Sequence, residues 1–232
     1  MSINHDSNRI AIPGISNRLY KLASLLDQPV IADIGCDHGL VCIQALRLGK
    51  VRKAYACDLR EGPLEQAKAN ILRNGLEDRI ETRLRNGIEN LEDDVNQVLI
   101  AGMGGRIIEE ILASNPLPES VSSLILSPHK DVSDLRQWLV DHQFVIESER
   151  MIHDGHYYPV LFVHPAMDGE SQSLSETELL LGVNTLVDED FASYLVWQRD
   201  VWKKIEEKMP ESAKTEMSRR IELIDNTIAS IA

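Results

Sequence analysis

The sequence has few cysteines and few aromatic residues, and it contains no long apolar run. Its three cysteines are an odd number and lack the paired spacing of a zinc site, so neither a disulfide framework nor structural zinc is expected. No uninterrupted apolar stretch reaches the roughly 20 residues of a membrane-spanning helix. The first residues also lack the basic and apolar segments of a secretory signal. We therefore expect a reduced, cytoplasmic protein without a metal and without a membrane partner.

Positive charge is also in short supply. The chain has 24 Lys and Arg against 37 Asp and Glu, which gives a formal net charge of −13. This balance argues against a protein that coats nucleic acid nonspecifically, although a local basic patch can still bind RNA. Residues 168–190 contain several acids and no Lys or Arg, so that stretch would repel RNA. An RNA surface must therefore lie elsewhere.

Short apolar runs alternate with helical patterns through the first two thirds of the chain. The runs predict strands at 30–35, 52–59, 80–87, 96–105 and 122–128. Helical patterns begin at Ile15 and span roughly 39–48, 63–74, 106–114 and 132–142. This alternation predicts an α/β fold with a mostly parallel, Rossmann-like sheet.

The pattern changes after residue 143. Two strand-like runs, 144–152 and 157–165, flank His-Asp-Gly-His, and Asp154-Gly155 is a strong hairpin signal. A mostly parallel sheet that ends in an antiparallel hairpin is the seven-stranded methyltransferase layout, and it differs from the all-parallel dinucleotide fold.

The last part of the chain is nearly free of glycine. Helical patterns over roughly 175–208 and 211–231, divided by Pro210, predict a small α-helical hairpin. We therefore divide the chain into a catalytic domain, 1–167, and a C-terminal helical, coiled-coil-like domain, 168–232. The hairpin can either grip RNA or mediate dimers, and we expect a monomer or weak dimer.

The first predicted strand ends in Asp33-Ile34-Gly35-Cys36-Asp37-His38-Gly39. Glycines at this point let the backbone approach a nucleotide-like ligand. A dinucleotide fingerprint would place backbone amides against pyrophosphate, where Asp37 would set one anion against another. S-adenosylmethionine instead carries an ammonium and a sulfonium, which a carboxylate attracts. The alternative is an ordinary Gly-Asp turn.

Polar residues also end the next two strands. Asp58 follows the second strand and is placed to accept hydrogen bonds from both hydroxyls of a ribose. Asn86-Gly87 ends the third, where the amide could read an adenine edge. Each also has a simpler interpretation: Asp58 could be a solvated loop acid, and Asn86-Gly87 could be a common turn. Together, in this order on adjacent strands, they favour a nucleoside ligand.

The fourth strand ends in Ile100-Ala101-Gly102-Met103-Gly104-Gly105. Three glycines in four positions suggest that something approaches the backbone closely. Enzymes that methylate the N6 amine usually carry an Asn-Pro-Pro-Tyr-like clamp here, and this sequence has none. A ring nitrogen, which already holds a lone pair, needs no such clamp.

These motifs resemble one family, the bacterial tRNA adenine-22 N1-methyltransferases. The matching stretches are ISNRL, ADIGCDH, the Glu61-Gly62-Pro63 after Asp58, RNG, VLIAGMGG, LILSPH and the hairpin that contains Tyr158, and they span about residues 15–165. The resemblance implies the methyltransferase fold, a C-terminal helical domain, S-adenosylmethionine as cofactor and tRNA as partner.

The predicted site follows from the motifs and the resemblance together. The cofactor-binding residues expected are Asp33, Gly35, Asp37, His38, Asp58, Leu59, Asn86, Gly87, Gly102 and Met103. Asp37, Gly102 and Met103 are also the expected catalytic residues, with Asp37 either a partner of the cofactor cation or an acceptor near the base. The expected substrate-binding residues are Arg18, His129 and Tyr158.

Other cations are candidates for phosphate contact, and each could equally be solvated surface. They are Lys21, Lys50, Arg52 and Lys53, and on the C-terminal helices Lys203, Lys204, Arg219 and Arg220. Competing functions remain at this point: a methyltransferase for a small molecule or protein, a noncatalytic S-adenosylmethionine-binding protein, and, last, a nicotinamide oxidoreductase.

Overall fold

The computed structural model describes residues 11–231. Residues 1–10, which bear on the expected absence of a secretory signal, lie outside this range. Helices α1–α5 span Asn17–Leu25, Leu40–Arg47, Glu61–Arg73, Gly105–Ser114 and Val132–Asp141. Strands β1–β7 span Val30–Ile34, Lys53–Asp58, Ile80–Leu84, Gln97–Met103, Ser123–Pro128, Phe144–Asp154 and His156–Pro165. Helices α6–α8 span Glu176–Leu181, Glu189–Glu206 and Lys214–Ile231, with a 3-10 turn at Glu211–Ala213.

The seven strands form one sheet in the order β3-β2-β1-β4-β5-β7-β6. β1 to β5 pair in parallel, while β7 is antiparallel to both β5 and β6. The strand order reverses between β1 and β4, and ligands of open α/β sheets bind at such switch points. The predicted fold class, including the terminal hairpin, is confirmed.

Both faces of the sheet are covered, which explains why its central strands are apolar on both sides. On one face Ile31, Leu99 and Ile125 pack against α1, α2 and α3. On the other face Val98 and Leu124 pack with residues of α4 and α5. The sheet therefore separates two helical layers, and the carboxyl ends of its parallel strands meet at one edge.

The C-terminal helices pack against the hairpin. Met151 of β6 shares a small apolar core with Leu181, Phe191, Leu195 and Ile224 from α6, α7 and α8. Ser175 begins α6 with a capping box, in which its hydroxyl and the Glu178 side chain each accept from the other residue's backbone N–H. The C-terminal segment is thus anchored to the sheet rather than projecting from it.

A buried ion pair reinforces this anchor. Arg136 of α5 and Glu149 of β6 are 3% and 2% exposed, and two parallel hydrogen bonds of 2.8 Å join their side chains. Arg136 Nη1 also donates to the Leu179 carbonyl at 2.7 Å, and the Val183 amide donates to Glu149 Oε1 at 3.0 Å. One pair therefore joins α5, β6 and the segment around α6.

The prediction of one continuous helix over 175–208 is wrong. The segment breaks after α6 at Gly182, whose φ is +117°, and helix resumes only at Glu189. A Cβ on Gly182 would lie 3.2 Å from Glu149 Oε2 and 2.4 Å from Thr185 Oγ1, so the chain turns tightly over the buried carboxylate. A contact with β6 ends the helix at this point.

Candidate functional site

The polar turns that follow β1, β2 and β4 open into one cleft at the carboxyl edge of the sheet. The cleft has a volume of about 870 Å³. It lies at the β1–β4 switch point, because parallel strands deliver their following loops to the same edge. Every residue expected to bind cofactor or to be catalytic lines it: Asp33, Gly35, Asp37, His38, Asp58, Leu59, Asn86, Gly87, Gly102 and Met103.

The turn after β1 is held in a shape that ordinary residues rarely adopt. Gly35, Asp37 and Gly39 all have positive φ, at +75°, +50° and +67°. The amides of Gly35 and Cys36 both donate to the Cys57 carbonyl, at 2.8 and 2.9 Å, which folds the turn back over β2. The bend places the Asp37 carboxylate, 62% exposed, in the cleft.

Asp58 is fixed at the end of β2 and is only 5% exposed. Its Oδ1 accepts from the Arg60 amide at 2.9 Å, and its Oδ2 lies 3.4 Å from the Asp37 amide. Nε of the Arg60 guanidinium lies 3.6 Å from Oδ1 of this carboxylate. Each oxygen has capacity left for another donor, so this carboxylate is oriented for a ligand.

Asp33 lies deeper, at the floor of the cleft, and is 4% exposed. Burial raises its pKa to about 7, and the nearby Asp58 charge adds to this, while a hydrogen bond from the Cys42 thiol at 3.6 Å opposes it. A positively charged ligand in the cleft would favour the ionised form of this carboxyl group.

Replacing Asp33 with asparagine should change how stability depends on pH. The folded-state pKa of Asp33 is raised above its unfolded value, so its contribution to stability is full below about pH 4 and is lost as pH rises toward 7. Urea unfolding at pH 5 and pH 8 should show the free energy of unfolding of the wild type falling by about 2.5 kcal/mol more than that of Asp33→Asn over this interval. Parallel pH curves for the two proteins would contradict the assignment.

The glycines after β4 have a different explanation from the one that the sequence suggested. A Cβ on Gly105 would lie 2.5 Å from the Asp131 carbonyl oxygen, and one on Gly104 would lie 2.8 Å from Lys130 Cε. The group that approaches this backbone is therefore the chain's own segment 129–131. Gly102 needs glycine because its φ is +82°, in the left-handed region.

This close packing positions the loop after β5. The His129 amide donates to the Met103 carbonyl at 2.8 Å, and the Gly105 amide donates to the Lys130 carbonyl at 2.9 Å. These two bonds extend the pairing of β4 with β5 beyond the strands. His129 and Lys130 are thereby held beside the start of α4.

The three residues expected to bind substrate form one cluster on the Gly102 side of the cleft. The Arg18 guanidinium carbon lies 4.5 Å from the centre of the Tyr158 ring, and the His129 and Tyr158 rings are 5.5 Å apart, edge to face. Arg18 and His129 line the cleft, whereas Tyr158 supports both from behind. Partial burial and the Arg18 charge lower the pKa of His129 below 6.5, which favours a neutral imidazole at neutral pH.

Some residues of the cleft were not predicted. They include Ile107 and Ile111 of α4, which line the cleft. Ile107 is 48% exposed, and the predicted residue Leu59 is 65% exposed. Exposed apolar side chains at a cleft mouth offer flat contact surface to an aromatic ring. The sequence did offer a signal for Ile107 and Ile111: they are four residues apart on a helix that begins directly after a glycine-rich strand end.

Many of the cations proposed for phosphate contact already have acidic partners. Lys21 pairs with Asp190, Lys53 with Asp94 and Glu81, Lys203 with Asp225, Arg219 with Glu176 and Arg220 with Glu216. Lys50 and Arg52 precede β2 and so lie at the opposite edge of the sheet from the cleft. Their position does not favour a role beside the cleft.

The three cysteines are free and buried. Cys42 and Cys57 are fully inaccessible, and Cys36 is 7% exposed at the wall of the cleft. Burial is the main cause that raises the thiol pKa of all three, to about 12 for Cys57, so the reactive thiolate form is strongly disfavoured at neutral pH.

Residues 11–231 contain neither a membrane-spanning helix nor a metal-binding cluster. None of the helices in this range combines the length and apolarity that crossing a bilayer requires. The same range contains no group of three or more His, Cys, Asp and Glu side chains arranged to hold a metal ion.

Comparison with known proteins places these features in context. Residues 15–161 match the family described as "Methyltransferase domain". The tRNA (adenine(22)-N(1))-methyltransferase of Bacillus subtilis strain 168 is 28% identical over 217 residues, which cover 89% of this chain and 90% of the relative.

Solved structures agree with this match. TrmK of M. capricolum, in complex with S-adenosyl-homocysteine, is 31% identical with a TM-score of 0.78, and the alignment covers 94% of this chain and 99% of that one. Streptococcus pneumoniae Sp1610, named as a proposed tRNA (m1A22) methyltransferase and solved with S-adenosyl-L-methionine, is 30% identical with a TM-score of 0.79. That alignment covers 92% of this chain and 99% of the other.

Proposed function

Since the chain belongs to the methyltransferase-domain family, and within it to the bacterial tRNA (adenine-22-N1)-methyltransferases, we propose that it methylates N1 of an adenine in tRNA. S-adenosylmethionine is the methyl donor. The observation that supports this most directly is the cleft at the β1–β4 switch point, bordered by carboxylates on one side and by Arg18 and His129 on the other.

The residues of the cleft fit the cofactor better than they fit a dinucleotide. Asp33, Asp37 and Asp58 gather three carboxyl groups at the ends of two adjacent strands. A pyrophosphate here would face like charge, whereas an ammonium or sulfonium group would be attracted. The cofactor supplies an electrophilic methyl group on its sulfonium when bound.

Each wall of the cleft has a proposed task in holding the cofactor. Asp58 accepts hydrogen bonds from the ribose hydroxyls, because its carboxylate is fixed and its remaining acceptor capacity is free for the ligand. Asn86 and Gly87 read the adenine edge, while Leu59 and Ile107 contact the ring faces. Asp37 attracts the positive charge of the methionine portion.

The opposite side of the cleft is assigned to the substrate. Gly102 and Met103 border the space between the two ligands, with no Cβ at Gly102 to obstruct it. Neutral His129 can accept a hydrogen bond from the exocyclic amine of adenine. Arg18 and Tyr158 hold this side together and present a cation to RNA.

The reaction requires the protein to position its reactants more than it requires acid–base catalysis. N1 of adenine holds its lone pair at neutral pH, so no proton has to be removed before attack. The task of the chain is to align N1 with the methyl group and to exclude water. N1 is a base-pairing atom, and the target adenine must therefore be unpaired or flipped out of its stack. The buried, free thiols support a reducing, cytoplasmic location.

Incubation with methyl-labelled S-adenosylmethionine and bulk bacterial tRNA tests this function. Nucleoside analysis should recover the label as 1-methyladenosine. Label only in small molecules or protein would instead favour the first alternative. Cofactor binding without any transfer would favour a noncatalytic binding protein.

A further inference from the structure

Cations on the two sides of the cleft differ in how they are paired. On the cofactor side, Arg60 lies 3.6 Å from Asp58, and Arg85 is joined to Glu92 at 2.7 Å. Both charges on that side are thus matched by carboxylates of the protein. They have little net charge left to offer a polyanion.

On the substrate side, the part of the chain that the structure describes provides no such partners. The side chains of Arg18, Arg106 and Lys130 form no ion pair within the described residues, although the Asp154 carboxylate accepts a hydrogen bond from the Arg18 backbone N–H at 3.0 Å. Nε of Arg18 is buried without a hydrogen-bond partner in this part of the chain. An unsatisfied buried donor is unfavourable, and a ligand that offers an acceptor would satisfy it.

The backbone fixes where the two exposed cations stand. Lys130 is held by the bond from the Gly105 amide to its carbonyl, and its alkyl chain lies over Gly104. Arg106 is in the first turn of α4, directly before Ile107, which lines the cleft. Gly105, whose amide bonds to the Lys130 carbonyl, directly precedes Arg106, so the two cations stand on adjacent segments next to His129. Neither lines the cleft itself, and we call this pair the rim.

The surroundings of these two residues include acids, but none neutralises them by contact. Glu109, near Arg106, has its pKa raised mainly by its own burial and by nearby acids, while Arg106 lowers it. Asp131 follows Lys130 and faces Gly104. Both cations are exposed, and neither forms an ion pair within residues 11–231 of a chain whose formal charge is −13.

We propose that Arg106 and Lys130 bind phosphates of the RNA strand next to the target adenine, with Arg18 as a third cation closer to the cleft. This inference rests on the proposed function and specifies its RNA surface. Phosphate contacts fix the position and register of a nucleic acid and do not read its sequence. The rim therefore sets affinity for tRNA and leaves the choice of base to the cleft.

The double variant Arg106→Gln with Lys130→Gln tests the proposal. We expect tRNA affinity to fall about tenfold near 0.15 M salt, and the slope of log K against log salt to become shallower by about 1.4–1.8, since each of the two phosphate contacts contributes about 0.7–0.9. Affinity for S-adenosylmethionine should stay within twofold of the wild type. The variant Arg106→Lys with Lys130→Arg keeps both charges and should restore the slope.

A matched control neutralises two cations far from the cleft, with Lys50→Gln and Arg52→Gln. An equal loss of affinity in this control, or an unchanged salt slope in the rim variant, would overturn the proposal. Wild-type protein that binds tRNA through the rim but forms no 1-methyladenosine would contradict the proposed function instead. The two failures are thus separable.

Discussion

Replacing Glu149 with alanine should lower the free energy of unfolding by about 3–5 kcal/mol. The substitution leaves the Arg136 guanidinium, 3% exposed, without its carboxylate, and it also removes the acceptor of the Val183 amide. A buried unpaired charge costs far more than the pair itself contributes. Urea unfolding monitored by circular dichroism measures the loss, which should be accompanied by easier proteolysis of the segment around α6.

Two variants calibrate this result. Glu65→Ala breaks the exposed pair with Lys68 and should cost no more than about 0.5 kcal/mol. Glu149→Gln keeps one acceptor oxygen, so its free energy of unfolding should lie between those of the wild type and Glu149→Ala. This variant keeps the test informative if the alanine variant fails to fold. A loss below 1 kcal/mol for Glu149→Ala would mean that the pair does not anchor the C-terminal segment.

Replacing Asp58 with alanine should weaken S-adenosylmethionine binding at least about tenfold, and up to about a hundredfold, because hydrogen bonds from both ribose hydroxyls would be lost. The fixed geometry of this carboxylate, with Arg60 and Asp37 amides on its two oxygens, is the basis of the expectation. Isothermal titration calorimetry gives the dissociation constant directly.

The control for this experiment is Glu61→Ala, which removes an exposed acid three residues away that does not line the cleft. Its affinity should match the wild type. Asp58→Asn should give a smaller loss, since the amide retains one acceptor oxygen. Unchanged affinity in folded Asp58→Ala would remove the ribose assignment.

Much of the sheet could be predicted because its signals are local. Apolar runs such as 30–35 and 122–128 can be buried on both faces only as central strands, and Asp154-Gly155 fits a hairpin whatever surrounds it. The cleft residues could be predicted for the same reason. Once the strands are parallel, Asp37, Asp58 and Gly102 must meet at one edge.

What the sequence did not reveal depends on contacts between distant segments. The end of α6 at Gly182 is set by Glu149 on β6, and a helical pattern that runs on through residue 188 contains little sign of it. The glycines at 104 and 105 were expected to admit a ligand, whereas segment 129–131 fills the space. The ion pair of Lys21 with Asp190 could not be predicted either, because the two residues are far apart in the sequence.

The division at residue 167 stays a prediction. The shared apolar core of Met151 with Leu195 and Ile224, together with the Arg136–Glu149 pair, links the two parts closely. The roles assigned to individual site residues are likewise proposals until variants such as those above are measured.

The chemistry of the three thiols has a practical consequence. Because all are shielded and held in the protonated form, the native protein should take up little maleimide at neutral pH under conditions that keep it folded. A cysteine introduced at an exposed site, such as Ser193 on α7, would then be the dominant point of attachment for a fluorophore or spin label. Whether the C-terminal helices move when tRNA docks can therefore be tested spectroscopically without first building a cysteine-free background.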